Sequence, residues 1–340
     1  MRLIIVGFGT VGQGLAELLL DKREELAREH GFAWQVVGIA DLHNGSCYAP
    51  EGIDLARALT MVGRTESLSA MAGAGNDWDA MTMIHRAQAD ALVELTYTDI
   101  KTGEPATGHL RAALERGLHV VTANKGPIAL HYRELADLAR ARGVGLRFEG
   151  TVMSGTPVLN MVRETLRGSR LTEVRGILNG TTNFILTRME EGMDYPSALA
   201  EAQSLGYAEA VPDADVLGHD ALAKVTILAN VLFGAALLPA DSPCQGITHI
   251  TPHDIARAKD QGRRFKLIGR VWREGDTVRG SVAPQEVPMT HPLAGVAGAA
   301  NALTLTTDTL GDVTIVGPGA GRAPTGFAVL ADLIGLGGRP

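Results

Sequence analysis

The apolar run LIIV at residues 3–6 is followed at once by GFGTVG at residues 7–12, and then by Leu15, Leu18 and Leu19 at helical spacing. A strand, a glycine turn and a helix in immediate succession leave few folds open. The pattern G-x-G-x-x-G is weak evidence alone and strong at a strand-to-helix junction. There Gly7 permits the tight turn, Gly9 lets backbone approach a pyrophosphate, and Gly12 lets helix and strand pack closely. Free N–H groups at the helix start, around Phe8, Thr10 and Val11, would bind the diphosphate. The competing reading is a plain glycine turn ahead of a helix.

Apolar stretches at residues 35–40, 91–96 and 119–124 alternate with helical segments, the sequence form of a parallel sheet with right-handed crossovers. A helix at 130–142 and a strand at 145–149 continue it. Beyond Gly150 the character changes. GTVMSGTPV is read as opening a helix, and strands are expected at 173–178, 265–272, 277–282 and 301–307. Helices are expected from Asn183, from Ser197 and over 215–233, with a last apolar helix at 322–334. The expected fold class is α/β: a Rossmann-type dinucleotide-binding domain over residues 1–128, then a second α+β domain over 129–317 for substrate binding and catalysis. No flexible linker separates them.

Composition narrows the function. Lys and Arg number 31 against 38 Asp and Glu, a net charge of −7, so the overall field disfavours nucleic acid and anionic membranes. Glycine is in excess, 41 of 340 residues, as suits a chain with many tight turns. Only Cys47 and Cys244 are present, which excludes a disulfide scaffold and a cysteine zinc site and suits a cytoplasmic setting. The N-terminal apolar run is too short for a signal peptide, and the uncharged stretch 225–240 falls short of the ~20 residues that span a bilayer.

Several side chains are candidates for chemistry. Asp41 ends the second strand, where a carboxylate accepts ribose hydroxyls and repels a 2′-phosphate, favouring NAD over NADP; a solvated loop carboxylate is the alternative. Thr96, at the end of the strand 91–96, joins the cofactor-binding set. Asp220 and Lys224 stand four apart on a helix that is apolar almost all round, where an ion pair is costly unless it serves a function. A lysine beside a carboxylate can protonate a carbonyl oxygen as hydride arrives, or take the hydroxyl proton in reverse. Lys125 follows the strand 119–124 in NKGP, either in the ligand crevice or in an ordinary surface turn. Glu209, Asp213 and Asp215 form a polar loop that could hold an ammonium group. NGTTN, residues 179–183, could offer donors or simply cap a helix.

Together GFGTVG, TGEPA, VVTANKGP, EGTVMSGTPV, GILNGTTNFIL, GYAEAVPDADVLGHDALAK and GPGAGRAPTGFAVLAD closely resemble homoserine dehydrogenases, in family order from residue 7 to 332. The resemblance implies NAD(P)-dependent interconversion of L-homoserine and L-aspartate 4-semialdehyde, on the route to threonine and methionine. It makes Lys224 the proton donor and acceptor, Asp220 its partner and a substrate contact, and Lys125 a second active-site lysine near the nicotinamide. Glu209 and Asp215 fall where the family holds the substrate's amino end, and Thr181 near its carboxylate. Gly206 and Gly321 match cofactor-contacting glycines. A monovalent cation, sodium in such enzymes, would be held between the domains by Glu149, Val152, Ser154 and Thr156. The resemblance also implies a homodimer, a C-terminal helix at about 318–340 that completes the nucleotide domain, and a short form without an amino-acid-sensing domain. Val211 and Leu217 depart from the family, which usually carries acidic residues there. Two other readings are a thioester-forming aldehyde dehydrogenase, which needs an activated cysteine, and a nucleotide sensor without chemistry.

Overall fold

A computed structural model describes residues 1–71 and 76–337, and in it the chain forms two units. One comprises Met1–Gly155 with the C-terminal stretch from Gly321; the other is Thr156–Ala320. The first boundary thus falls later than residue 128. The reason lies in the sheet, which takes two more strands after Ala91–Glu94 before the chain leaves it.

The first unit is built on β1 (Arg2–Val6), β2 (Gln35–Asp41), β3 (Gly45–Tyr48), β4 (Ala91–Glu94), β5 (His119–Thr122) and β6 (Leu146–Arg147). Their order is β3-β2-β1-β4-β5-β6, parallel except where β3 turns back antiparallel on β2. Leu3, Ile4, Ile5 and Val6 are all buried, as a strand covered on both faces requires. β1 lies between β2 and β4, so the strand order reverses there and a ligand crevice opens at the carboxyl ends. Gly7 has φ +93°, and a Cβ on it would lie 2.5 Å from the Leu95 carbonyl, so only glycine makes this turn.

Helix Arg322–Gly337 also belongs to this unit, against helix Thr10–Asp21. A Cβ on Gly14 would come within 2.4 Å of the Arg322 carbonyl oxygen, so the two helices meet backbone to backbone. Arg322 closes the contact with a two-pronged pair to Glu17 at 2.6 and 3.0 Å.

The second unit carries an antiparallel sheet of β7 (Leu171–Ile177), β8 (Arg263–Glu274), β9 (Thr277–Pro288), β10 (Ala300–Thr307) and β11 (Gly311–Pro318), in the order β11-β10-β7-β8-β9. Helices Gly180–Glu190 and His219–Leu232 pack on it. Every residue from Ala221 to Asn230 is buried, so the helix carrying Asp220 and Lys224 is enclosed nearly all round.

Some local expectations need correction. NKGP is not a free turn: Asn124 caps helix Lys125–Arg142 through its side chain, and Lys125 is the first helical residue. The helix expected over 215–233 is broken by Gly218 at φ +88°, leaving Asp213–Val216 and His219–Leu232. GTVMSGTPV does open a helix, Leu159–Thr165, which starts directly after Val158 and is preceded by a short 3₁₀ turn at Glu149–Thr151. No helix among the described residues is long and apolar enough to cross a membrane.

Candidate active site

In the second unit one carboxamide organises the chemistry. Asn179, on the loop from β7 into helix Gly180–Glu190, donates from Nδ2 to Asp215 Oδ1 at 2.6 Å and to Asp220 Oδ2 at 3.0 Å. Its Oδ1 accepts the Thr182 N–H and caps the helix. Lys224 Nζ donates to Asp220 Oδ2 at 2.6 Å and to the Leu178 carbonyl at 2.6 Å. The lysine is only 5% exposed, so it is fixed in place by charge-assisted bonds rather than mobile. The Thr181 hydroxyl donates to the Tyr207 carbonyl at 2.6 Å. Burial first, then the neighbouring Asp220 charge, push the Asp215 carboxyl above its ordinary range; Asn179, Lys224 and Thr181 pull the other way. Two carboxylates and an amine held this closely are what an ammonium-bearing substrate undergoing proton transfer needs.

Glu209 does not join this cluster. Its side chain is exposed, and its carbonyl accepts from Gln203 at 3.1 Å. Gly206, at φ +74°, follows helix Tyr195–Ser204, where an ordinary helix end accounts for it. Val211 is 74% exposed and Leu217 39% exposed, so neither apolar replacement perturbs the buried charges.

In the first unit the glycine turn is arranged for a nucleotide. Helix Thr10–Asp21 starts at Gly9 with no side-chain cap and no acidic residue in its first turn. A Cβ on Gly9 would meet no protein atom, so packing does not require glycine there, whereas close approach by a ligand does. Thr10 is exposed and Val11 half-buried, while Phe8 and Gly12 are buried. Asp41 is more engaged than a ribose-binding carboxylate alone would be. It accepts from the Phe8 N–H at 2.6 Å, His43 N–H at 3.0 Å and Asn44 N–H at 2.8 Å. A carboxylate has about four acceptor positions, so roughly one remains for a ribose hydroxyl rather than two. Thr96 donates both N–H and hydroxyl to Glu94, and Gly321, at φ +135°, leads into helix Arg322–Gly337.

The proposed cation ligands fall in both units. Glu149 is buried, with its N–H on Asp332 at 2.8 Å; Val152 is buried; Ser154 bonds Thr325 at 2.7 Å. Met153 and Ser154 are consecutive non-glycine residues at φ +57° and +55°, a strained conformation typical of ligand clamps. Thr156, the first residue of the second unit, donates to the Pro318 carbonyl at 2.9 Å. Among the described residues no group of three or more His, Cys, Asp or Glu could hold a metal ion. Cys47 is buried, Cys244 half-buried, and burial pushes both thiols up, so neither is an activated nucleophile.

The homoserine dehydrogenase family model matches residues 157–334, and the NAD-binding domain of homoserine dehydrogenase matches residues 7–149. The chain belongs to the homoserine dehydrogenase family. It is 45% identical over 334 residues to the NAD⁺-dependent homoserine dehydrogenase of Pseudomonas canavaninivorans, covering 98% of this chain and 95% of that one. Identity to the homoserine dehydrogenase of Methanocaldococcus jannaschii is 40%, covering 98% of each. A hyperthermophilic archaeal homoserine dehydrogenase solved with NADPH superposes with a TM-score of 0.84 at 32% identity, covering 99% of this chain and 97% of that one. As a member of this family the chain is an NAD(P)-dependent oxidoreductase acting on CH–OH groups.

One functional residue was missed from sequence and another was read without its partners. Asn179, in NGTTN, reads as a donor or an N-cap and is both; which carboxylates it serves needs the helix bearing Asp220 to be in place. Glu94 reads as the polar end of a strand, and nothing in ALVELT tells that it is fully buried.

Proposed function

We propose that this chain interconverts L-homoserine and L-aspartate 4-semialdehyde, with Lys224 as general acid and base. The observation that supports this best is the part-buried chain of contacts from Lys224 through Asp220 and Asn179 to Asp215. Bound NAD(P) supplies or accepts the hydride. In the reducing direction the Lys224 ammonium gives a proton to the aldehyde oxygen; in the oxidising direction the neutral amine takes it from the hydroxyl. Asp220 holds the lysine and touches substrate, while Asp215 binds the substrate's ammonium group. Thr181 lies at the end that receives the substrate's carboxylate. Lys125, Gly206 and Gly321 are assigned to the cofactor side, with Gly7, Gly9, Gly12, Asp41 and Thr96.

NAD is the preferred nucleotide in this reading, because the Asp41 charge at the end of β2 repels a 2′-phosphate. A monovalent cation, sodium, fits an oxygen-only set of the Glu149 carboxylate and oxygens of Val152, Ser154 and Thr156. The assembly is a homodimer through the sheet of the second unit. Both cysteines are free, as a cytoplasmic setting favours.

The test is Lys224→Ala. It is expected to keep nucleotide binding and to lose at least ~10²-fold in kcat, the usual size of a general acid–base contribution. Near-normal turnover in a folded variant removes Lys224 from the chemistry.

A further inference from the structure

Glu94 ends β4, the strand beside β1 where the strand order reverses; its register partners are Val6 on β1 and Thr122 on β5. Its side chain is 0% exposed. One oxygen, Oε1, accepts the Thr96 N–H at 3.1 Å and the Thr96 hydroxyl; the other, Oε2, accepts the Thr122 hydroxyl at 3.2 Å. The network runs on from there. The Thr122 hydroxyl accepts the Asn124 N–H at 2.9 Å, and the Asn124 amide donates to the carbonyls of Thr96 and Tyr97 at 3.3 and 2.9 Å. Asn124 also caps the helix that begins at Lys125. On its other side the Leu95–Thr96 peptide is the backbone against which Gly7 is pressed. One carboxylate therefore fixes the glycine turn, Thr96 and the start of the Lys125 helix relative to each other.

A scaffold alone does not require a charge at this point. Burying a carboxylate costs several kcal/mol, and well-packed apolar groups commonly replace buried charges without loss. What the charge adds is a field at the crevice where the nucleotide binds. Oxidised nicotinamide is cationic and reduced nicotinamide is neutral, so a fixed negative charge in a poorly screened sheet end favours the oxidised form. We propose that Glu94 is a positioning residue whose buried charge biases the bound nucleotide toward its oxidised state. The titratable group facing it is His109, whose buried Nδ1 lies 3.7 Å from Oε1 and has no hydrogen-bond partner among the described residues. The proposal rests on the nucleotide binding at this sheet.

The experiment is fluorescence titration with NAD⁺ and with NADH at pH 8.5. Wild type, Glu94→Gln and Glu94→Asp are compared. Glutamine keeps the length and one acceptor but drops the charge; it is expected to raise Kd for NAD⁺ about fivefold or more and Kd for NADH less than twofold. Aspartate keeps the charge and is expected to leave the ratio of the two Kd values within about twofold of wild type. Equal losses for both forms with Glu94→Gln, or no loss, overturn the proposal and leave Glu94 a scaffold residue. If Glu94→Gln does not fold, the aspartate variant decides: a preserved ratio supports the proposal, and a ratio shifted about fivefold overturns it. Wild-type protein that binds neither form overturns the nucleotide site itself, a result distinct from equal loss in the variant.

Discussion

The Asn179 carboxamide faces two carboxylates with its nitrogen and a helix N-terminus with its oxygen. Its bond to Asp215 favours the ionised carboxylate, against burial and the Asp220 charge, which raise the Asp215 pKa. The sign follows for stability: a carboxyl raised in the folded state contributes at low pH and loses that contribution as pH rises through the folded value. If ionised Asp215 binds the substrate's ammonium, kcat/KM must fall as the carboxyl protonates, on an acid limb above the ordinary aspartate range. Asn179→Ala removes the donor, so the limb is expected to move to higher pH, with about 1 kcal/mol of stability lost from the missing cap. A limb that stays in place in the pH profile of kcat/KM takes Asp215 out of substrate binding. Lys224 and Asp220 were legible in the sequence because two charges four apart in an otherwise apolar helix have few innocent explanations. From the residues alone Glu209 was a candidate only as one of three carboxylates in a polar loop, and the fold leaves it exposed, because loop carboxylates have no periodicity to declare their direction.

At the scale of elements, helix Gly180–Glu190 is tied down by a second buried polar group. Lys266, on β8, is 0% exposed and donates to Asn183 Oδ1 at 3.1 Å and the Val296 carbonyl at 2.7 Å. Asn183 in turn donates to the carbonyls of Gly298 and Ala300 at 2.9 and 3.2 Å. The knot joins the helix, β8 and the entry to β10. Burial lowers the Lys266 pKa from 10.5 to about 8, with the Glu190 charge opposing. The unfolded chain therefore binds more protons than the folded one between about pH 8 and 10.5. Across that window this group's penalty is relieved and stability rises with pH. Lys266→Met cannot titrate, so the Tm of wild type minus that of the variant is expected to grow between about pH 7.5 and 9.5; a constant difference sinks the assignment. Neither this lysine nor β11 was legible beforehand. Lys266 sits in a strand whose neighbours Arg263, Arg264 and Arg270 are also basic, so the sequence gives no sign of which charge turns inward. β11 buries no face, and its flanking Gly311 and Gly317 read as loop.

For the whole molecule, alternation of strands and helices announced two units, and the parallel sheet was legible because its strands are buried on both faces. The boundary was misplaced because β6 has only two residues, too few for any pattern. The second sheet leaves a different question. β11 is an edge strand, with β10 on one side only, and it carries Val313, Ile315 and Val316, the last 55% exposed. Leu310, in the turn before it, is 61% exposed. Edge strands of soluble proteins are commonly guarded by lysine, proline or bulges, because unpaired N–H and C=O groups recruit other chains. Among the residues of β11 the only charge is Asp312, and Pro318 stands at the far end. A second copy covering this edge removes the hazard in the way closed symmetry allows, with the same surface on each partner. Sedimentation equilibrium is expected to return the mass of a dimer, and Val316→Lys is expected to shift it toward the monomer while leaving the circular dichroism of the fold unchanged. A wild-type monomer at micromolar concentration excludes the homodimer, and a dimer that Val316→Lys does not weaken places its interface elsewhere than on β11.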